Sequence, residues 1–449
     1  MKLANYFRIS APAAEKVPAA EVDGTYRRYR SRTFWGVTAA YSLYYVCRMV
    51  LSVVKQPLID EGILTAAQLG MISSAFMFVY AVGKFSNGFI ADYCNVRRFM
   101  AAGLLVSALV NFIMGALGFF HGAPGFPGVL LFLVFAVIWG VNGWAQSMGA
   151  PPGVISLSRW FPLKERGTWY SIFSSTPYLG KFLTMVIVGA LIGFAGWQWG
   201  FLFAAFCGLI GTAITLIFVS DTPESKGLPS IQELSGEEPV NTDAYSTHIL
   251  HKRVLRHPAI WVIALSSAFI YITQYAVSNW GVLFLQKTKG FSLESSAVII
   301  GVSEVFGIAG TVLAGWLSDK VFHGNRATPV ILSGLVCLAA LALFLLTGGS
   351  HLLNILYVSL YSLSIGVVYC IVAGLMALDI VPRRATGAAL GVVGISSYAA
   401  AGLQDLASGF LIGAGETLDF GAVTVFWLAA CLVSFILPVI GWKYLATKP

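Results

Sequence analysis

The chain has 449 residues, is 57% hydrophobic and only 11% charged, and carries a formal net charge of +8; its mean hydropathy is +0.78. A soluble domain carries about a quarter charged residues, so a chain of this length cannot cover a water-facing surface with so few. That excludes a soluble enzyme or binding module and leaves a multi-pass membrane protein.

The first 32 residues are polar and basic, ending in RRYRSR. They lack an apolar core and a small-residue cleavage site, and read as a retained cytosolic segment. Runs of about twenty apolar residues then recur, the length a helix needs to cross a bilayer. They lie at 33–54, 68–91, 99–120, 128–156, 168–194 and 200–219, and again at 259–285, 295–317, 328–347, 353–378, 386–412 and 422–443. None alternates as barrel strands do. The expected fold is all-α, twelve transmembrane helices in two six-helix pseudo-symmetric bundles over 33–219 and 258–443. A cytosolic linker at 220–257, partly ordered and partly mobile, joins them, and residues 444–449 form a cytosolic tail.

Lysine and arginine counts orient the spans. Lys55, Lys287 and Lys289 fall on one side, and Arg48, Lys84 and Lys181 fall inside spans. The other 22 of the 28 basic residues fall on the side of the two termini, which predicts that both termini are cytoplasmic. The two halves also echo each other. GFIADYCNVRR at 88–98 returns as GWLSDK at 315–320, and PLKERGT at 162–168 returns as PRRATGA at 382–388, at offsets of 227 and 220 residues. A parallel repeat of this kind is a transporter pattern. In the repeated loops, Asp92 and Asp319 can pair with basic neighbours such as Arg97 and Arg98, or cap helix ends, in one conformation and release in another. A tight, charged turn that only obeys the positive-inside bias is the plainer alternative.

Ionised groups at the bilayer centre cost roughly 2.5 kcal/mol or more each, so they face a cavity or a partner. Arg48 lies mid-span, with Tyr41 and Tyr45 on its helical face. Tyr80 and Lys84 repeat that device in span 2, and neither span offers an acid. A guanidinium, an ammonium and phenols at one depth suit an anion with several oxygens. Glu304 is the acid within span 8. Asp405, in GLQDLASG, lies towards the outer end of span 11. It is expected at the solvated mouth of the cavity, with proton binding or contact to a substrate hydroxyl as alternatives. The six cysteines form no CxxC pair and the six histidines lie in loops or at segment ends, so no disulfide framework, metal site or cofactor is expected. The absence of P-loop, GxSxG and HExxH motifs argues against an enzyme.

YSLYYVCR, YAVGKF, GFIADYCNVRR, FPLKERGT, SDTPESKGLP, GWLSDKVFHGNR and PRRATGAA, taken in order, resemble the organophosphate:phosphate antiporter family of the major facilitator superfamily. The resemblance spans nearly the whole chain. It implies exchange of a phosphorylated metabolite, of the hexose phosphate or glycerol-3-phosphate class, for inorganic phosphate across a cell inner membrane, by rocking of the two halves. Arg48 matches the family's phosphate-binding arginine, and Lys84, Tyr41, Tyr45 and Tyr80 match cavity residues. Tyr271, Gln274 and Tyr398 complete the candidate set from the second half. Gln274 stands where the family has a second arginine, and Pro177 where glycerol-phosphate transporters have a histidine. Lys181 is a candidate to restore the missing charge by touching substrate, or to pair with Glu304, which matches a family glutamate, or to alternate between the two.

Two other readings share the same fold and cavity. One is a sensor of external hexose phosphate working with a membrane histidine kinase, and the other is a proton-coupled carrier of another organic anion. No nucleic-acid partner is expected, and the superfamily implies a monomer.

Overall fold

The first long helix, α1 (Val22–Asp60), has 39 residues. At 1.5 Å per residue it is about 58 Å long, roughly twice the thickness of a bilayer core. The sequence stops being uniformly apolar near residue 54, but the helix continues to Asp60, with Pro57 accommodated near its end. A capping box then starts α2 (Ala66–Asp92), in which Thr65 and Gln68 satisfy each other's free backbone N–H groups. The Asn95 side chain accepts from Arg98 N to start α3 (Val96–Phe119).

Span 4 is broken. It comprises α4 (Gly128–Gln146) and α5 (Ala150–Trp160), and Pro151 and Pro152 stand in the first turn of α5, where a missing N–H costs nothing. Span 5 comprises α6 (Thr176–Leu183), a π-helical turn (Thr184–Val188) and α7 (Gly189–Ala195). Then come α8 (Trp197–Phe218), the short α9 (Ile231–Ser235), α10 (Pro258–Lys289), α11 (Leu293–Trp316), α12 (Ala327–Leu346), α13 (His351–Tyr369), α14 (Thr386–Ile412) and α15 (Gly421–Leu445).

These features come from a computed structural model, which describes residues 5–120, 128–162, 165, 169, 172–173, 175–236, 255–323, 325–376, 386–413 and 418–445. Among them are 11 helices long and apolar enough to cross a membrane, counting α4 and α5 as one and α6 to α7 as one. The 27-residue α14 completes the expected twelve. The fold is all-helical, and the described residues contain no β-strand, only an isolated bridge between Arg8 and Cys94.

In the first half α3 and α1 pack on α8, and α2 packs on α4; in the second, α11 packs on α13, and α10 on α14 and α15. The halves are joined by α2 with α14, by all three parts of span 5 (α6, the π-helical turn and α7) with α11, and by α1 with α10 and, more sparsely, α11. The first of these seams depends on glycine. A Cβ on Gly70 of α2 would sit 2.6 Å from the Asp405 carbonyl oxygen and 2.9 Å from the Gly409 Cα of α14, so no larger residue fits.

At the face carrying the termini, the N-terminal segment is strapped onto the first half. Asp221, just past α8, accepts from Ser10 N at 2.7 Å, from Val96 N at 2.9 Å and from the Arg159 guanidinium at 2.6 Å. Burial pushes the neighbouring Cys94 thiol above its usual range, against the opposing pull of Arg159. Residues 220–236 of the expected linker are therefore folded against the first half, and 237–254 lie outside the described residues. All six cysteines are free thiols.

Candidate functional site

Arg48 sits where α1 meets α10, 4% exposed. Its guanidinium lies over five aromatic rings, those of Tyr45, Phe76, Tyr80, Tyr275 and Tyr398, at 4.6 to 5.7 Å from their centroids. One Nη2–H donates to the Tyr275 hydroxyl across the seam at 2.7 Å, and Nε is buried without a partner. Among the described residues the cation is thus held by ring faces, one phenol and the Met77 sulfur at 3.5 Å, with no salt bridge to an acid. Ring quadrupoles stabilise a desolvated cation, but they leave its hydrogen-bonding capacity largely unspent.

The structure gathers most of the expected residues here. Tyr45 and Tyr80 form part of the ring. Tyr398 meets Tyr80 at 4.6 Å and Tyr271 at 5.1 Å, and Lys84 Nζ lies 4.5 Å from the Tyr398 ring. Tyr41 is further from the cation, stacked on Phe173 and edge-on to Tyr45. Tyr271 stacks on Tyr275, and Gln274 is half-buried on the same stretch of α10. Tyr275 was missed in the sequence. Its signal was available, since YITQY places two tyrosines four residues apart, on one helical face.

Lys181 and Glu304 form an ion pair at 3.3 Å between α6 and α11, 4% and 5% exposed, with Ser278 bonded to both. Pro177 lies one turn earlier in α6. At the terminal face Arg97 is exposed, and Arg98 donates to the Tyr6 carbonyl at 2.7 Å and lies over the Tyr6 ring. The side chains of Asp92 and Asp319, the other expected gating residues, lie outside the described residues.

Two expectations are corrected. Asp405 is not at a solvated mouth. It is fully buried, with Asn279 Nδ2 donating to both carboxylate oxygens at 3.1 and 2.9 Å and Trp280 Nε1 donating at 2.9 Å. The reason is the close approach of α2 and α14 at Gly70 and Gly409, which closes that end. Lys55, expected in an outer loop, is 1% exposed inside α1, with Nζ 3.4 Å from the centroid of the Trp280 ring.

A cavity of about 20 Å³ lies within this region, lined by Arg48, Ser52, Ser73, Asn279 and Asp405 among others. A larger groove, about 700 Å³, runs along the outer wall between α2, α3 and α4, and its apolar lining suits lipid rather than a charged solute.

Contacts across the seam run from the face opposite the termini, here termed the distal face, to mid-depth. Lys287 pairs with Asp60 at the distal rim. Below it lie the Gly70–Gly409 approach, a Ser52–Asn279 hydrogen bond, and at mid-depth the Ser74 bond to the Gly402 carbonyl. Towards the terminal face the described residues pack less closely across the seam. Lys84 is only half-buried, Gly391 is exposed, and a Cβ on Gly391 or Gly394 would meet nothing within 4 Å. Among the described residues the arrangement presents cations and phenols at mid-depth, closed on the distal side and more loosely packed on the terminal side.

The sequence pattern of the Major Facilitator Superfamily matches residues 37–404. A glycerol-3-phosphate transporter of Bacillus subtilis is 30% identical, over 96% of this chain and 97% of its own. A probable hexose phosphate transport protein of Chlamydia pneumoniae is 33% identical over 70% of each chain. Among solved structures, a bacterial homolog of the human lysosomal transporter Spinster, described as inward-facing and unoccupied, aligns with a TM-score of 0.69 at 18% identity. That alignment covers 93% of this chain and 95% of the other, and is a likeness of fold alone.

Proposed function

Since the chain belongs to the major facilitator superfamily, in its organophosphate:phosphate antiporter family, we propose that it carries a phosphorylated three- to six-carbon metabolite across a bacterial inner membrane in exchange for inorganic phosphate. The observation that carries this reading is Arg48, a buried guanidinium at the seam between halves with no acid paired to it among the described residues. A phosphate monoester supplies the charge and the planar pair of oxygens that such a group lacks. Lys84 adds a second positive charge on the terminal side, and Tyr80, Tyr271 and Tyr398 offer donors and faces for the rest of the solute.

With both termini in the cytoplasm, we read the more loosely packed terminal side as the one that opens to the cytoplasm, so that the closed distal side faces outward. Movement follows from differential binding by the two conformations rather than from covalent chemistry. Phosphate moving down its gradient drives the exchange. Lys181 and Glu304 hold the seam together, and Lys181 can trade Glu304 for substrate as the halves rock. The carrier works as a monomer. A sensor of external hexose phosphate that signals through a membrane kinase would use the same cavity and bind without exchange.

The test uses purified protein in liposomes loaded with inorganic phosphate and offered glycerol 3-phosphate, glucose 6-phosphate or phosphoglycerate. We expect uptake of at least one, dependent on internal phosphate and lost in Arg48→Gln. Uptake that follows the pH gradient and ignores phosphate would sink the antiport reading in favour of proton coupling, and saturable binding without uptake would favour the sensor. Lys181→Gln, if it leaves affinity unchanged, removes Lys181 from the substrate contacts.

A further inference from the structure

Lys55 is a cation of the first half held by the second. It stands seven residues beyond Arg48 in α1, about two turns towards the distal face and on the same side of the helix. Its ammonium lies 3.4 Å above Trp280, and Nζ has no hydrogen-bond partner. The Nε1–H of that same indole donates to Asp405, so the ring carries the lysine on its face and the carboxylate at its edge. Asp405 is thus joined to Lys55 through the indole of Trp280. Trp280 belongs to α10 and Asp405 to α14, both in the second half.

A stabilising role explains this poorly. A buried ammonium without an acceptor is costly, and an apolar side chain of similar volume would pack against Trp280 without that cost. The geometry explains it better as one state of a cycle. Trp280 and Asp405 move with the second half, while Lys55 and Arg48 move together with the first. When the distal side opens, Lys55 loses Trp280 and Asp405 together. It then stands above Arg48 on the path that a solute takes from that face.

We propose that Lys55 is a second anion-binding residue of the transport pathway, taken by the phosphate group of a phosphorylated solute when the distal side is open and returned to Trp280 and Asp405 when that side closes. Asp405 is then a stand-in for the solute's charge. The bonds from Asn279 and Trp280 fix its carboxylate where Lys55 returns, and the small cavity is lined by both Asp405 and Arg48. This rests on the transport reading above and deepens it by assigning the entry step.

The experiment measures exchange of glycerol 3-phosphate for inorganic phosphate with the full chain in liposomes of defined orientation, with KM taken from each face separately. Lys55→Gln should raise the distal-face KM about tenfold and leave the terminal-face KM unchanged. Lys55→Arg should recover most of that loss. Asp405→Asn, which removes the competitor and keeps the lysine, should lower the distal-face KM severalfold. The double variant K55Q/D405N should keep the raised distal-face KM. A structural pair behaves otherwise: the two faces shift together, or the double variant recovers the wild-type value. Either result overturns the proposal, as does an unchanged distal-face KM in Lys55→Gln. If the wild-type protein exchanges no phosphorylated solute from either face, the transport reading itself has failed.

Discussion

Arg48 and Tyr275 show how a binding group can be kept in the membrane while empty. A phenol is a weak acceptor beside a carboxylate. The 2.7 Å bond from the guanidinium therefore holds the cation in place at a contribution of about 1.5–3 kcal/mol net, which a bidentate phosphate can exceed. If a phosphate oxygen takes the Nη2 that Tyr275 now occupies, Tyr275→Phe removes a competitor. We expect binding of the preferred organophosphate to tighten roughly threefold to tenfold, read as ligand-dependent thermal stabilisation in detergent. Weaker binding would mean that the phenol and the solute bind together.

At this scale the sequence disclosed a good deal. An arginine in the middle of an apolar run, with no acid in the same or the next span, must face a cavity or a partner, and Arg48 lines a small cavity inside a ring of aromatic side chains. Lys181 and Glu304 were legible as a pair. Lys55 and Asp405 were not, because hydropathy reports where apolar runs end and not which helix ends are covered by a neighbour. α1 continues past its apolar stretch to Asp60, and the other half of the molecule covers that extension.

At the scale of helices, the Gly70–Gly409 crossing sets how tightly the distal side closes. With Cβ clashes of 2.6 to 2.9 Å against backbone atoms, a side chain at Gly70 forces α2 and α14 apart. Gly70→Val should therefore shift the population towards the distal-open state. Spin labels placed near the distal ends of α1 and α10, at Asp60→Cys and Lys287→Cys, should report longer distances in this variant than in the same labelled protein with Gly70 intact. An unchanged distance distribution would show that the seam does not depend on that contact. The broken helices belong to the same scale. The prolines at 151 and 152 were visible, but twenty apolar residues look the same whether or not a turn interrupts them, so span 4 was read as one helix. The three π-helical turns, at Thr184–Val188, Leu317–Val321 and Cys370–Met376, left no mark that periodicity could catch. They widen the helix locally, which is a packing outcome rather than a local preference.

For the molecule as a whole, the twelve-span plan and the two echoing halves followed from composition and repeated loops, because lipid allows so few backbone solutions. How the halves meet did not follow, since it is decided between residues far apart in sequence. Asp221 shows the same thing at the terminal face. One carboxylate holds the N-terminal strap, the start of α3 and the Arg159 guanidinium. Asp221→Asn weakens all three, and removing a buried acid from its cation costs roughly 3–5 kcal/mol. We expect a lower Tm for the whole protein with KM for the organophosphate unchanged, because the substrate site is in the membrane and this hub is not. A changed KM at constant Tm would place the strap in the transport cycle instead.

That hub also orders events during synthesis. Ser10 and its carboxylate partner are 211 residues apart, so this segment, made before α1, is among the last parts of its half to find its place. The strap cannot dock until α8 has been made and Asp221 has emerged behind it. Docking therefore marks completion of the first half before α10 exists, and the first bundle reaches its final form while the ribosome is still supplying its partner.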